Sequence, residues 1–184
     1  AVIAAVQNGA DAVYMGFGDG FNARRSADNF TRESFAKAVR YCHIRGCKVY
    51  VTLNTLVGDR EMESAAALAQ QASDAGADAI LVQDLGLARV LRDALPDIPL
   101  HASTQMSIHN LAGVEAAAEM GITRAVLSRE LSLEQIRFIS QHASIETEVF
   151  VHGALCFCSS GQCYMSALTG RRSGNRGACA QPCR

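Results

Sequence analysis

The sequence predicts an α/β protein of (β/α)8 TIM-barrel type, truncated at both ends and finishing in a Cys-rich irregular segment. Three observations predict it. Short apolar, β-branched runs alternate six times with longer stretches of helical period, the order that builds a parallel sheet. Glycines stand where four helices must stop before a strand, at Gly9, Gly46, Gly76 and Gly121. The fragment GADA occurs at Gly9 and again at Gly76, each time feeding an apolar run, and a repeated helix-Gly-strand unit suits right-handed crossovers. A doubly wound open sheet is the competitor, but no G-x-G-x-x-G follows the first strand. The run Gly16-Phe17-Gly18-Asp19-Gly20 lacks that register and reads as a long loop.

In order, an opening helix at Val2–Asn8 leads to a strand at Ala12–Met15. Helix Arg32–Arg45 feeds strand Lys48–Leu53, and helix Arg60–Ala75 feeds strand Ala79–Val82. Helix Gly86–Ala94 precedes strand Leu100–Ala102, helix Ser107–Met120 precedes strand Arg124–Leu127, and helix Ser132–Gln141 precedes strand Ile145–Val151. Residues 1–151 thus read as a partial barrel and residues 152–184 as a Cys/Arg-rich segment of the same domain. The start at Ala1 inside a helical pattern, and the end one residue after Cys183, read as a fragment of a longer chain.

With 184 residues, 49% hydrophobic and three prolines, the chain can bury a large core as one unit. The net charge of −1 hides an asymmetry: residues 1–151 hold thirteen basic and eighteen acidic side chains, the remainder four arginines and no acid. A cationic mouth on a mildly acidic body favours an anionic substrate or cofactor over general coating of nucleic acid. No apolar run approaches the roughly 18 residues of a membrane span, and free-thiol chemistry suits a cytoplasmic setting.

In a parallel barrel, chemistry belongs at the carboxyl ends of the strands. Successive strands there are followed by Phe21, Asn22, Arg24 and Arg25; Asn54 and Thr55; Gln83 and Asp84; Ser103, Thr104 and Gln105; Ser128, Arg129 and Glu130; and His152. Arg24, Asn54, Gln83 and Gln105 are candidate substrate-binding residues, and His152, Glu148 and Arg129 candidate catalytic ones. Period two puts Glu146, Glu148, Phe150 and His152 on one face. An acid in the lumen needs a partner, which Arg129 or Arg24 supplies. His101 also ends a strand, whereas His43, His109 and His142 read as surface or packing residues on helices. Arg60, Glu61, Glu63 and Asp74 read as solvated faces.

The last segment holds five of the seven cysteines, at 156, 158, 163, 179 and 183. Cys42 and Cys47 sit in periodic apolar segments, as core thiols do. Disulfides suit small secreted domains short of core, and structural zinc usually draws on closer C-x2-C pairs. An iron–sulfur cluster accepts thiolates at wide spacings, its negative charge offset by cations such as Arg171, Arg172, Arg176 and Arg184. The cluster leads, with zinc as the alternative. The Gly-rich turn at Asn175-Arg176-Gly177 can donate hydrogen bonds to sulfurs or to a carboxylate. The tail beyond His152 should be the least regular part of the chain.

The runs EVFVHGALC (148–156), SGQC (160–163) and RSGNRGACAQPCR (172–184) closely resemble the signature of the U32 family, catalogued as peptidases or collagenase-like proteases. The resemblance implies an iron–sulfur enzyme of oxygen-independent hydroxylation. Its substrate would be a pyrimidine of tRNA or rRNA or a quinone precursor, with prephenate as oxygen donor in some members. It implies 4Fe-4S ligands at Cys156, Cys163 and Cys179, with Cys183 or a downstream cysteine as the fourth. Arg24, Arg129 and Arg176 would then hold the carboxylates of a prephenate-like donor. Cys158 and the SGNRG wording resemble the ribosomal RNA branch. Two alternatives stand beside this. A peptidase needs an activated nucleophile or metal-bound water, yet H-E-x-x-H and G-x-S-x-G are absent and Cys156 with His152 is only a neighbourhood in sequence. A zinc-stabilised barrel binding RNA would have few stacking side chains in its tail, Phe157 and Tyr164.

Overall fold

In the computed structural model, which describes residues 1–18, 20–24, 29–154 and 156–183, six parallel strands lie side by side in chain order. They are β1 (Ala12–Met15), β2 (Lys48–Leu53), β3 (Ala79–Val82), β4 (Leu100–Ala102), β5 (Ile122–Val126) and β6 (Glu146–Glu148). Sequential order with every pair parallel is half-barrel topology. A doubly wound sheet would reverse its order midway. Asp19, Arg25, Leu155 and Arg184 lie outside the described residues, so the expectations placed on Arg25 and Arg184 are not addressed.

Helices α1 (Val2–Gln7), α2 (Arg32–His43), α3 (Met62–Asp74), α4 (Leu85–Ala94), α5 (Leu111–Glu119) and α6 (Leu133–His142) alternate with the strands. Their buried stripes, including Phe35, Val39, Ala69, Leu87, Leu91, Val114 and Ile139, pack with Val49, Val51, Leu53, Ile80, Val82, Leu100 and Ala125 of the sheet. Burying a side chain of this size stabilises by ~1.5–3 kcal/mol. Cys42 and Cys47 belong to this layer as free thiols. Burial, then the neighbouring Cys47, pushes the Cys42 thiol up to about 11, leaving it inert at neutral pH. The opposite face of the sheet carries a smaller apolar cluster of Tyr50, Ala79, Leu81 and Val126. Two apolar faces on short parallel strands are the pattern of a barrel wall.

Local chemistry sets the element ends. Thr31, Asp84, Asn110 and Ser132 cap α2, α4, α5 and α6 by accepting from a backbone N–H three residues on, each cap worth ~1 kcal/mol. Asp84 also accepts from Val57 N at 3.2 Å, so this strand-end acid is a helix cap and loop tether. Asp78 accepts from Val49 N at 2.7 Å and pairs with His43 Nε2 at 2.8 Å, tying α2 to the sheet. No helix among the described residues is long and apolar enough to cross a membrane.

Strand β5 opens at Ile122, two residues before the expected Arg124, and two boundaries differ by three residues or more. A helix from Ser107 is expected, but a 3-10 turn occupies Thr104–Met106, Ser107 takes a left-handed φ of 61°, and α5 starts only after the Asn110 cap. Strand β6 ends at Glu148 rather than Val151, and Val149–Val151 are exposed. The tail is irregular as expected, apart from a six-residue helix α7 (Met165–Gly170) and a 3-10 turn at Gly174–Arg176.

Candidate functional site

The loops leaving the carboxyl ends of β4 and β5 grip the cysteine segment through Ser160, which is fully buried. Its carbonyl accepts from Ser107 Oγ at 2.5 Å, and its N–H donates to Glu130 Oε1. Its Oγ accepts from Arg129 Nε at 3.1 Å. The remaining guanidinium nitrogens of Arg129 donate to the carbonyls of Cys156 at 3.0 Å and Cys158 at 3.3 Å. A planar fork with five donors suits this task. Beside the grip, Gly161 passes so close to the 104–106 turn that a Cβ on it would lie 2.1 Å from Gln105 O.

His109 completes this network. Its Nδ1 meets Ser107 O at 2.7 Å and Ser128 Oγ at 3.2 Å, and its Nε2 faces Glu130 Oε2 at 3.5 Å. It lies in the loop before α5, not on a helix face as the sequence reading has it. Partial burial pushes the Glu130 carboxyl upward, but hydrogen bonds from its own and the Ser160 backbone carry it below the ordinary range. Glu130 is therefore an anion that accepts from the loop.

A second tether joins the tail to the far side of the mouth. Arg176 forms a bidentate pair with Glu61 at 2.5 and 2.8 Å and donates to Leu56 O at 3.1 Å. Glu61 is thus a docking residue rather than a merely solvated one, and Arg176 is engaged by protein rather than by a substrate carboxylate. The Arg176 hydrogen bond, with one from Gly58, draws the Glu61 pKa from 4.5 down to about 2. A depressed carboxyl contributes stability above its unfolded pKa and loses it as pH falls through the folded value. The 174–176 turn is therefore expected to stay docked at neutral pH and to release between pH 4.5 and about 2. Hydrogen exchange of the Arg176 and Gly177 amides against pH checks this; docking that persists below the folded pKa contradicts it.

The thiols are partly gathered. The Cys158 thiol is pushed up first by its hydrogen bond with Cys163, then by burial and by the nearby Cys163 and Cys156. Cys179 Sγ accepts from Gln181 N at 3.4 Å and Ser166 Oγ at 3.8 Å. A Cβ at Gly174 would lie 3.7 Å from Cys179 Cβ and 3.8 Å from Cys163 O, so those two stretches of chain run past the same glycine. Cys156, Cys179 and Cys183 are exposed, and all seven cysteines are free. Soft thiol donors of this kind suit iron–sulfur or zinc ligation. Among the described residues, no three His, Cys, Asp or Glu side chains stand in an arrangement that would hold a metal ion.

Within the half-barrel, the partner of Glu148 is Arg124, not Arg129 or Arg24. Arg124 pairs with Glu146 at 2.6 Å and Glu148 at 3.4 Å, and its NH1 reaches Tyr50 Oη at 3.4 Å. Arg129 is committed to the loop, and the Arg24 backbone N–H donates to Asn22 Oδ1 while its side chain is exposed. Glu148 is thereby an ion-paired wall residue.

Asn54 ties three loops together, accepting from Ala23 N at 3.0 Å and donating to Ser103 Oγ at 3.1 Å. Gln105 contributes its backbone carbonyl to the passage of Gly161. His152 is exposed beyond the end of β6, with no hydrogen-bond partner among the described residues. Gln83 and His101 are buried, and Gln83 Oε1 and His101 Nδ1 have no partner among the described residues. An unmet buried polar atom costs ~1–3 kcal/mol.

The sequence reading puts Arg129, Glu130, Ser128, His152 and the cysteines at one mouth; the structure brings Arg129, Glu130 and Ser128 together beside the cysteine segment and leaves His152 outside. The sequence reading misses Ser107, His109, Ser160, Arg124 and Glu61. Arg124 carried a signal, being a cation one period from lumen-facing Val126 with an acid on each neighbouring lumen position of β6. Ser160 opens the SGQC run, but its residue type gives no sign that it is the buried anchor.

Comparison with known proteins bears on the family and the fold. The sequence model of Peptidase family U32 matches residues 1–184. The chain is 46% identical over 180 residues to the 23S rRNA 5-hydroxycytidine C2501 synthase of Escherichia coli, covering 98% of this chain and 27% of that protein. It is 38% identical to tRNA hydroxylation protein P1 of Bacillus subtilis, covering 98% and 42%, and 35% identical to a collagenase of Porphyromonas gingivalis, covering 100% and 46%. The chain thus spans less than half the length of each of these relatives. Among solved structures, the U32 peptidase Mk0906 superposes with a TM-score of 0.63 over 80% of this chain and 62% of that one, at 19% identity. A shared half-barrel and a family match along its full length place this chain in Peptidase family U32.

Proposed function

We propose that this chain is part of an RNA hydroxylase that adds oxygen to a pyrimidine of rRNA or tRNA without using O2, its half-barrel belonging to a (β/α)8 barrel in the whole protein. The observation that carries this reading is the 46% identity over 98% of the chain to an rRNA 5-hydroxycytidine synthase. The site supports it chemically. The Ser160 grip hangs a thiol-bearing, acid-free segment over the carboxyl ends of parallel strands, where such barrels place their chemistry.

In this reading Cys156, Cys163 and Cys179, with Cys183 or a cysteine further along the whole protein, hold a 4Fe-4S cluster. Such a cluster supplies redox and Lewis-acid chemistry. The chain's own residues position it: Arg129 fixes the backbone on either side of Phe157, Glu130 and Ser107 fix Ser160, and Arg176 with Glu61 fixes the turn before Cys179. Arg129 is a positioning residue here. For a prephenate-like donor the mouth offers Arg24, whose side chain is exposed and makes no hydrogen bond among the described residues, whereas the Arg129 guanidinium is taken up by Ser160, Cys156 and Cys158. The test is mass spectrometry of rRNA and tRNA nucleosides from cells lacking the protein. Loss of one hydroxylated pyrimidine, restored by the intact gene and not by a Cys156→Ser, Cys163→Ser form, is expected; an unchanged nucleoside profile contradicts the reading.

A peptidase is the second reading, favoured by the 35% identity to a collagenase. Exposed Cys156 and His152 would have to act together, and among the described residues no hydrogen bond joins them. Cleavage of a defined peptide that Cys156→Ala abolishes would establish it.

A further inference from the structure

We propose that Cys158 is a redox partner of Cys163: with no cluster bound, a low-molecular-weight disulfide converts the two thiols into a Cys158–Cys163 disulfide, which withdraws Cys163 from iron until a thiol reductant restores it. The proposal rests on the iron–sulfur reading above for what Cys163 holds. Cys158 itself has no part in that ligand set.

The local backbone brings the pair together. Residues 159–162 form a reverse turn closed by Gln162 N donating to Ser159 O at 3.1 Å. Gly161 takes φ +74° at its third position, the left-handed conformation that glycine supplies there. Such a turn folds the chain back on itself, its outer Cα atoms less than about 7 Å apart, so the flanking residues Cys158 and Cys163 face each other. Their thiols hydrogen-bond to one another, and both are half-buried, whereas Cys156 is exposed. A disulfide spans Cα atoms about 4.4–6.8 Å apart, and facing residues beside a tight turn lie in that range.

The turn is also held from outside. Ser160 is fully buried, Gln162 Nε2 donates to Ser107 Oγ at 3.0 Å, and Arg129 donates to Cys158 O at 3.3 Å. Closing the disulfide therefore orders little that is not already ordered. Cys42 and Cys47 are neighbours of the same kind, but both are buried in the core, out of reach of an oxidant.

The step is thiol–disulfide exchange. The thiolate of one cysteine attacks the small disulfide, breaks its S–S bond, and forms a mixed disulfide with release of one small thiol. The thiolate of the other then attacks the protein sulfur of that mixed disulfide, forming the Cys158–Cys163 bond and releasing the second small thiol. The cysteines give up two protons and two electrons, and the small disulfide takes up both. A sulfur held in this bond is no longer a thiolate donor to a metal.

The test is peptide mapping by mass spectrometry of full-length protein stripped of metal without oxygen, incubated with oxidised glutathione, then unfolded and alkylated. The wild type is expected to give a linked Cys158–Cys163 pair with Cys42 and Cys47 alkylated, and Cys158→Ala to carry glutathione on Cys163 instead. A wild type whose Cys163 stays alkylatable, keeps glutathione, or pairs with another cysteine overturns the proposal. Adding iron and sulfide to each form then separates it from the reading beneath it. The oxidised wild type is expected to take up roughly tenfold less iron than the reduced one; equal uptake by both overturns the switch. A Cys158–Cys163 disulfide in a protein that takes up no iron even when reduced supports the redox pair and sinks the iron–sulfur reading.

Discussion

Gly161→Ala is expected to lift the cysteine segment off the barrel while leaving the half-barrel folded. The new Cβ would meet Gln105 O at 2.1 Å and Gln105 C at 2.8 Å. Both are backbone atoms of a 3-10 turn held by Ser103, so neither can swing aside. Gly161 also has φ +74°, and a left-handed conformation costs a residue bearing a Cβ ~1–3 kcal/mol before any clash. Together these effects put the loss of docking above ~3 kcal/mol, more than a hundredfold in the docked population. Hydrogen exchange at Ser160 N and Gln162 N should rise accordingly, while the amides of β2 and β3 keep their protection. Unchanged exchange at Ser160 would show that the grip described here does not hold the loop.

Arg129→Ala should have the next largest effect. It removes the donors to Ser160 Oγ, Cys156 O and Cys158 O and leaves Ser160 buried with fewer partners. Bonds from a charged donor contribute ~1.5–3 kcal/mol each but overlap and are partly exposed, so ~2–4 kcal/mol of docking is expected. Arg129→Lys should recover part of this, since an ammonium can meet one of the three acceptors well but cannot fork across all of them. Hydrogen exchange of residues 156–163 in the three proteins should rank wild type, lysine, alanine. A lysine form as protected as wild type would mean that charge alone, not the fork, fixes the segment.

The fold was legible where local pattern and global packing agree. Strands β1 to β4 fall at the expected residues because each is a short apolar run bounded by a turn, and turn glycines such as Gly76, with φ +94°, stop the helices as their type requires. Legibility failed where an element depends on a distant partner. The alternation Glu146 to His152 continues past Glu148, but a strand needs a ladder, and the register of β6 with β5 ends at Glu148. His109 read as helical because the 107–120 pattern is periodic; the left-handed Ser107 and the Asn110 cap, which take it off the helix, are local choices that the apolar period does not encode.

The candidate site was legible by residue type and not by pairing. A cysteine-rich, arginine-bearing terminus reads as a site from composition alone, and Arg129 was placed at the mouth by its strand end. That Arg129 would serve backbone carbonyls, that Arg124 would take the lumenal acids, and that Glu61 would hold Arg176 are contacts across 27, 22 to 24, and 115 residues. Sequence period cannot reach that far. Contacts between loops are set by the order of the strands, which lays the carboxyl ends of all six along one rim of the half-barrel.

Whether thiols of the gripped terminal segment hold an iron–sulfur centre over the strand ends is read from iron and sulfide analysis of the full-length protein purified without oxygen. Iron and acid-labile sulfide are expected in comparable amounts, lost in Cys156→Ser and in Cys163→Ser proteins whose barrel still melts cooperatively. Zinc in place of iron, no metal, or iron that survives both substitutions would contradict it.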